Sequence, residues 1–297
     1  MPSRSASRAR PSPYAAFVAA VERRPEHVGL VLDVDGCLAN LEQDFTKTAV
    51  DSAMRRTLLA CRDSRIGSLT VLTARHPRRA REIIGIPDIT YSGYLGGAVL
   101  RPNSDTVEIH QQIDPWRAAV SDYSAAMWRS LVDASGVAAE HFGDGQVCYE
   151  FGGLPPSATL TALIDQLEQT AVALGLFVHR NATTLVVSPP ISLSKATGMR
   201  EAVAASGARV VMYAGDSVAD VPAMQAIDAM LIDGTLESAL KVVVRSAATV
   251  PSLTQCADLT VPGGPSALRL RLQRFADLAG PAVPPPTRSR GPGRTLG

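Results

Sequence analysis

Asp33 and Asp35 stand two residues apart at the end of the apolar run Val28-Gly29-Leu30-Val31-Leu32. In an extended chain, residues i and i+2 point to the same side, so both carboxylates can face one bound molecule. One can attack an electrophile while the other handles protons. If the electrophile is phosphorus, a cation is needed to reduce the repulsion between two anions, and clustered carboxylate oxygens suit a hard ion such as Mg2+. Asp216, which ends a later apolar run, is a third oxygen donor. Thr73 and Lys195 are candidates to hold phosphate oxygens, the lysine as a point charge and the threonine as a hydroxyl donor, and Arg75 joins them as a further phosphate-binding candidate. Each residue also has a plainer reading. Asp33-Val34-Asp35-Gly36 can be an acidic turn, Thr73 a satisfied strand end, Arg75 a solvated side chain, and Asp220 or Ser217 a helix cap.

The elements that must carry these residues are short buried strands. Val28 to Leu32, Leu69 to Leu72 and Arg209 to Ala214 are apolar runs that stop abruptly at polar residues, as parallel strands covered on both faces do. Open parallel sheets bind ligands beyond the carboxyl ends of their strands, so three such ends predict one composite site. Further strands are expected at Ala229 to Ile232 and Asp258 to Val261. Between the second and third strands, Pro102 to Ser188 reads as a mixed insert. Strands are expected at Thr106 to His110 and Val147 to Phe151, and a helix from about Pro115 to Leu131. A second helix carries Leu160, Leu163, Ile164, Leu167, Ala171 and Leu174 before Gly175, and a hairpin joins Leu176 to His179 with Thr184 to Val187. Such a unit can fold as a cap. The expected organisation is a discontinuous core over 14–101 and 189–279, a cap over 102–188, and disordered tails at 1–13 and 280–297.

With 297 residues, 46% of them hydrophobic, the chain can bury a large core. Lysine plus arginine (29) nearly balances aspartate plus glutamate (28), so no global field favours nucleic acid or an anionic membrane, and any phosphate is captured locally. No apolar run is long enough to span a bilayer, and the Ser- and Arg-rich start lacks an apolar core for a signal peptide. The four cysteines, Cys37, Cys61, Cys148 and Cys256, are widely spaced, which fits reduced thiols in a cytoplasm. The five histidines show no metal-ligand spacing. Gly93, Gly96 and Gly97 read as a turn, Trp116 and Trp128 as cap core, and Arg269, Arg271 and Arg274 as the solvated face of a final amphipathic helix.

Asp33-Val34-Asp35-Gly36, Thr73, Lys195 and Gly215-Asp216-Ser217-Val218-Ala219-Asp220, in that order, resemble the motifs of the haloacid dehalogenase superfamily over roughly Gly29 to Leu278. The insert resembles the large α/β cap (type C2) of that superfamily, and the nearest resemblance within it is to the trehalose-6-phosphate phosphatases. The resemblance implies an α/β fold, with a Rossmann-like core built on a parallel sheet plus a smaller α/β cap. It also implies a phosphoric monoester hydrolase with an aspartyl-phosphate at Asp33 and with Asp35 as acid and base. Mg2+ would be held by Asp33, the main-chain carbonyl of Asp35 and Asp216, with Asp220 orienting Lys195 or metal-bound water. The substrate implied is a small-molecule sugar phosphate, foremost trehalose 6-phosphate. The sequence departs from the family at Cys37, usually threonine, at Thr73-Ala74-Arg75, usually Ser-Gly-Arg, at Ser217 and Val221, usually acidic, at Ala196, usually glycine, and at Val186-Val187-Ser188, where a glutamate and a basic residue are usual. Those departures keep open a phosphatase for another disaccharide, pseudo-disaccharide or glycosyl phosphate, a sugar phosphomutase, and a catalytically silent sugar-phosphate sensor. The oligomeric state is not legible.

Overall fold

The computed structural model describes residues 11–42, 44–132, 136–141, 145–180 and 183–282. The tails expected at 1–13 and 280–297 lie mostly outside them; of the first, Pro13 already opens helix α1 (Pro13–Arg23) under a Ser12 cap. Two sheets organise the rest. The larger has eight strands in the order β12-β11-β10-β1-β2-β3-β4-β5. Its parallel part comprises β1 (Val28–Leu32), β2 (Ser68–Leu72), β3 (Thr90–Gly93), β10 (Val210–Gly215), β11 (Ser238–Val244) and β12 (Leu259–Val261). β4 (Ala98–Leu100) and β5 (Val107–Ile109) extend its edge antiparallel.

Alternation along the central strands builds two core layers. Leu30, Leu32, Val210, Met212, Ala214, Leu240 and Val242 face a layer closed by α1, α2 (Ser52–Asp63) and α9 (Gly264–Ala279), where Phe17, Leu58 and Phe275 are fully buried. Val31, Val211, Tyr213 and Val243 face the other layer, closed by α6 (Lys195–Ser206) and α7 (Val221–Ile232). Strands apolar on both faces are what a helix-covered parallel sheet requires.

The smaller sheet is antiparallel, in the order β6-β7-β9-β8, from β6 (Ala138–His141), β7 (Val147–Glu150), β8 (Phe177–Arg180) and β9 (Thr184–Ser188). One face packs Val147, Tyr149, Leu185 and Val187 against α4 (Arg117–Val132) and α5 (Ala158–Ala173). The opposite face carries Glu140, Cys148 and Val186 in register, and it meets the large sheet's helix α3 (Pro77–Ile84): Arg79 Nε lies 2.9 Å from Glu140 Oε1, an ion pair outside hydrogen-bond alignment.

Four expectations are corrected. Ala229 to Ile232 is not a strand but the end of α7, because Met230 continues the buried helical stripe of Ala223, Met224, Ala226 and Ile227; the strand follows at Ser238–Val244. Thr106 to His110 does form a strand, yet it pairs with β4 at the edge of the large sheet and not within the cap. The cap sheet gains β6, whose four residues carry no apolar alternation. Trp128 is 55% exposed, because Val120, Tyr123 and Met127 define the buried stripe of α4 and the next residue turns away from it.

Candidate functional site

The carboxyl ends of β1, β2 and β10 converge on a cluster of buried charges. Asp33 follows β1, donates its amide to Ala214 O at 3.0 Å and is only 5% exposed. Lys195, the first residue of α6, lies between Asp33 and Asp220: its Nζ is 2.8 Å from Asp33 Oδ1 and 2.6 Å from Asp220 Oδ1. All three side chains are almost wholly withdrawn from water, where an unpaired charge would be costly.

Close backbone packing sets the lysine in place. A Cβ on Gly96 would come within 2.3 Å of Gly198 N, and one on Gly198 within 2.4 Å of Leu72 Cδ1, so only glycines let the first turn of α6 approach this closely. The loop it meets is itself strained. Tyr94 and Leu95 have φ of 50° and 60°, and their amides are held by Arg75 O and Thr73 O.

Asp220 is anchored on every side. Its Oδ1 accepts from Lys195 and from the Tyr213 hydroxyl, and its Oδ2 from the amides of Asp216 and Ser217 at 2.9 and 2.8 Å. Burial opposes ionisation, but the Lys195 ammonium and these donors outweigh it and hold the carboxyl below its ordinary range. Asp33 goes the other way: burial pushes it well above the ordinary range against the pull of Lys195, which Asp220 shares.

Asp216 lies beside them. Its Oδ2 accepts from Ser246 Oγ at 2.6 Å and its carbonyl from Thr249 Oγ1 at 3.0 Å, while burial raises its pKa to about 6. Gly36, at φ +74°, makes room for it, since a Cβ there would fall 2.0 Å from Asp216 Oδ2. Carboxylate oxygens of Asp33 and Asp216 and the Cys37 sulfur lie within 4.8 Å of one another, a group that could hold a metal ion.

Asp35 occupies the opening of the site, with its side chain 32% exposed. Arg75 grips it in a bidentate pair, Nε to Oδ2 at 2.8 Å and Nη2 to Oδ1 at 2.7 Å, and also donates to Thr48 Oγ1. Arg75 itself is buried, with Glu140 and Cys148 of the cap among the groups acting on it. Thr73 is buried at the end of β2, its hydroxyl accepting from Arg75 N at 3.2 Å. The sequence-predicted residues therefore form two joined groups: Asp33, Lys195, Asp216 and Asp220 in the interior, and Asp35, Arg75 and Thr73 toward the cap. Thr48, Tyr213, Ser246 and Thr249 complete the site without having been singled out. Of these only Tyr213 had a local signal, as a hydroxyl inside the apolar run that ends at Asp216.

No protein-family model matches the chain, and no curated protein does. Solved structures do. A trehalose-6-phosphate phosphatase related protein superimposes with a TM-score of 0.67 at 18% identity, over 84% of this chain and 97% of that one. The C-terminal domain of the C. albicans trehalose-6-phosphate phosphatase gives 0.64 at 13% identity, over 90% and 99%. A haloacid dehalogenase-like hydrolase from Bacteroides thetaiotaomicron gives 0.55 at 12% identity, over 84% and 99%. The chain thus shares the fold of these structures, a largely parallel α/β core with a separate antiparallel sheet.

Proposed function

We propose that the chain is a Mg2+-dependent phosphatase that hydrolyses a sugar phosphate, foremost trehalose 6-phosphate, through an aspartyl-phosphate at Asp33. The observation that carries this reading is the placement of one buried carboxylate, Asp33, against a lysine that a second carboxylate, Asp220, fixes from behind. A carboxylate so held presents an oxygen at the end of a parallel sheet, where ligands of such sheets bind.

An oxygen of Asp33 attacks phosphorus, and the P–O bond to the sugar breaks. Asp35, at the mouth, gives its proton to the departing sugar oxygen. It then takes one from the water that cleaves the acyl phosphate, which returns Asp33 and releases inorganic phosphate. Lys195 and Thr73 hold the phosphoryl oxygens in this reading. Asp33, the Asp35 carbonyl and Asp216 are the groups that would hold Mg2+, which when bound offsets the repulsion between carboxylate and phosphate. Burial of Asp33 fits that need, since a neighbouring cation favours the anion that burial disfavours.

In this reading Arg75 acts through Asp35, which it holds by two hydrogen bonds. Arg75→Lys keeps the charge but loses the two-pronged grip, so it is expected to lower kcat about 10–100-fold, the range typical of orienting groups, with KM little changed. A rise confined to KM would return Arg75 to the phosphate.

The function itself is tested by phosphate release from a panel of sugar phosphates that includes trehalose 6-phosphate, with Mg2+ and then with chelator. Selective, chelator-sensitive release from trehalose 6-phosphate is expected. Release from another glycosyl phosphate alone would move the substrate, formation of an isomeric sugar phosphate would indicate a mutase, and tight binding without release a sensor.

A further inference from the structure

Cys37 sits four residues beyond Asp33 and is wholly buried. Its carbon packs in the core layer under α2 and α9, while its sulfur reaches the carboxylates, within 4.8 Å of an oxygen of Asp33 and one of Asp216. Buried cysteines ordinarily serve as small apolar side chains, and Cys61 follows that pattern with its sulfur 3.5 Å from Leu272 O. Cys37 differs: its sulfur has no hydrogen-bond partner among the described residues and lies within 4.8 Å of an acidic oxygen of each of Asp33 and Asp216.

We propose that Asp33, Cys37 and Asp216 form a binding site for a thiophilic divalent cation, zinc being the commonest of that class, and that such an ion blocks the site. Magnesium takes oxygen ligands in a near-octahedral shell and gains nothing from sulfur. Zinc and its congeners accept mixed sulfur and carboxylate donors, and three protein ligands leave the open fourth position usual for zinc at a reactive centre. As the sulfur–metal bond forms, the S–H bond breaks and the proton leaves to solvent. The ion then engages an oxygen of Asp33, the group assigned the attack on phosphorus, so zinc or cadmium competes with magnesium and inhibits. This last consequence rests on the function proposed above, whereas the binding site does not.

The test uses the full chain freed of metal, with cobalt(II) or cadmium(II) as the probe and no phosphate ester present. Each ion should produce sulfur-to-metal charge-transfer absorption that saturates at one ion per chain. Cys37→Ser should abolish the band and weaken cadmium binding at least about tenfold, a loss that even outer partners of metal ligands can cause. Cys148→Ser and Cys256→Ser should keep the band. Asp216→Asn leaves the thiol in place and should weaken cadmium to a similar degree, which carries the test if Cys37→Ser does not fold. A missing band in the native chain, a band that survives Cys37→Ser, or unchanged cadmium affinity in Asp216→Asn would overturn the site. These readouts need no turnover, so their failure and a failure of phosphate release are separate results.

Discussion

Asp33→Asn is expected to reduce phosphate release by on the order of 10⁴-fold or more, the scale seen when a nucleophile is removed, while leaving the fold intact. The amide keeps an oxygen for Val34 N, which donates to Asp33 Oδ1 at 2.8 Å. Lys195 keeps Asp220. Stability separates this outcome from simple unfolding. Burial raises the Asp33 pKa, so in the metal-free chain the ionised group subtracts from stability as pH climbs past the ordinary carboxylate range. Asparagine has no such loss. Thermal melting in chelator should therefore place Asp33→Asn level with the native chain at low pH and at or above it near neutrality.

Lys195→Met is expected to remove both activity and much of the stability. Asp220 is fully buried and Asp33 nearly so, and the substitution takes away the cation between them. Breaking a buried pair by deleting one partner costs about 3–5 kcal/mol. The sign with pH follows from the shifts. Asp220 is held below its ordinary range, so its share of stability is complete above that range and is lost as pH falls through and beneath it. Lys195 is held above its ordinary range by Asp220 and Asp33 against burial, so its share is complete at neutral pH and fails only as pH rises past the lysine range. The deficit of Lys195→Met is thus largest near neutrality and shrinks in acid. Adding Asp220→Asn should recover part of the stability and none of the turnover, as thermal melts and phosphate assays on the single and double variants would show. A double variant no more stable than Lys195→Met would mean that the pair is not the source of the loss.

Asp33, Asp35 and Asp216 were legible because their strands are apolar on both faces and stop where the acids begin, a pattern that period-2 geometry ties to the sheet's carboxyl edge. Lys195 was not legible in that way. It opens a helix, so its charge made it a phosphate candidate but no strand end marked it; what fixes it is the contact of Gly96 with Gly198, made between segments about a hundred residues apart. Arg75 is a phosphate-binding candidate by its charge, and the structure pairs it with Asp35, a partner that strand spacing cannot reveal. Ser246 and Thr249 reach Asp216 from the loop after β11, and serine and threonine in a loop look the same whether they cap a turn or support a site. The run Ala229 to Ile232 misled because a short apolar stretch has no period of its own, and its place in a buried helix came from residues upstream.

The central claim is that Asp33 carries the phosphoryl group, and trapping that adduct tests it most directly. Asp35→Asn, given an aryl phosphate whose leaving group needs no proton, should load Asp33 and fail to unload it. Acid quench and mass spectrometry should then find one phosphoryl group per chain on the peptide containing Asp33, and none in the Asp33→Asn, Asp35→Asn double variant. A phosphoryl group on another residue, or phosphate release that persists without Asp33, would contradict the account.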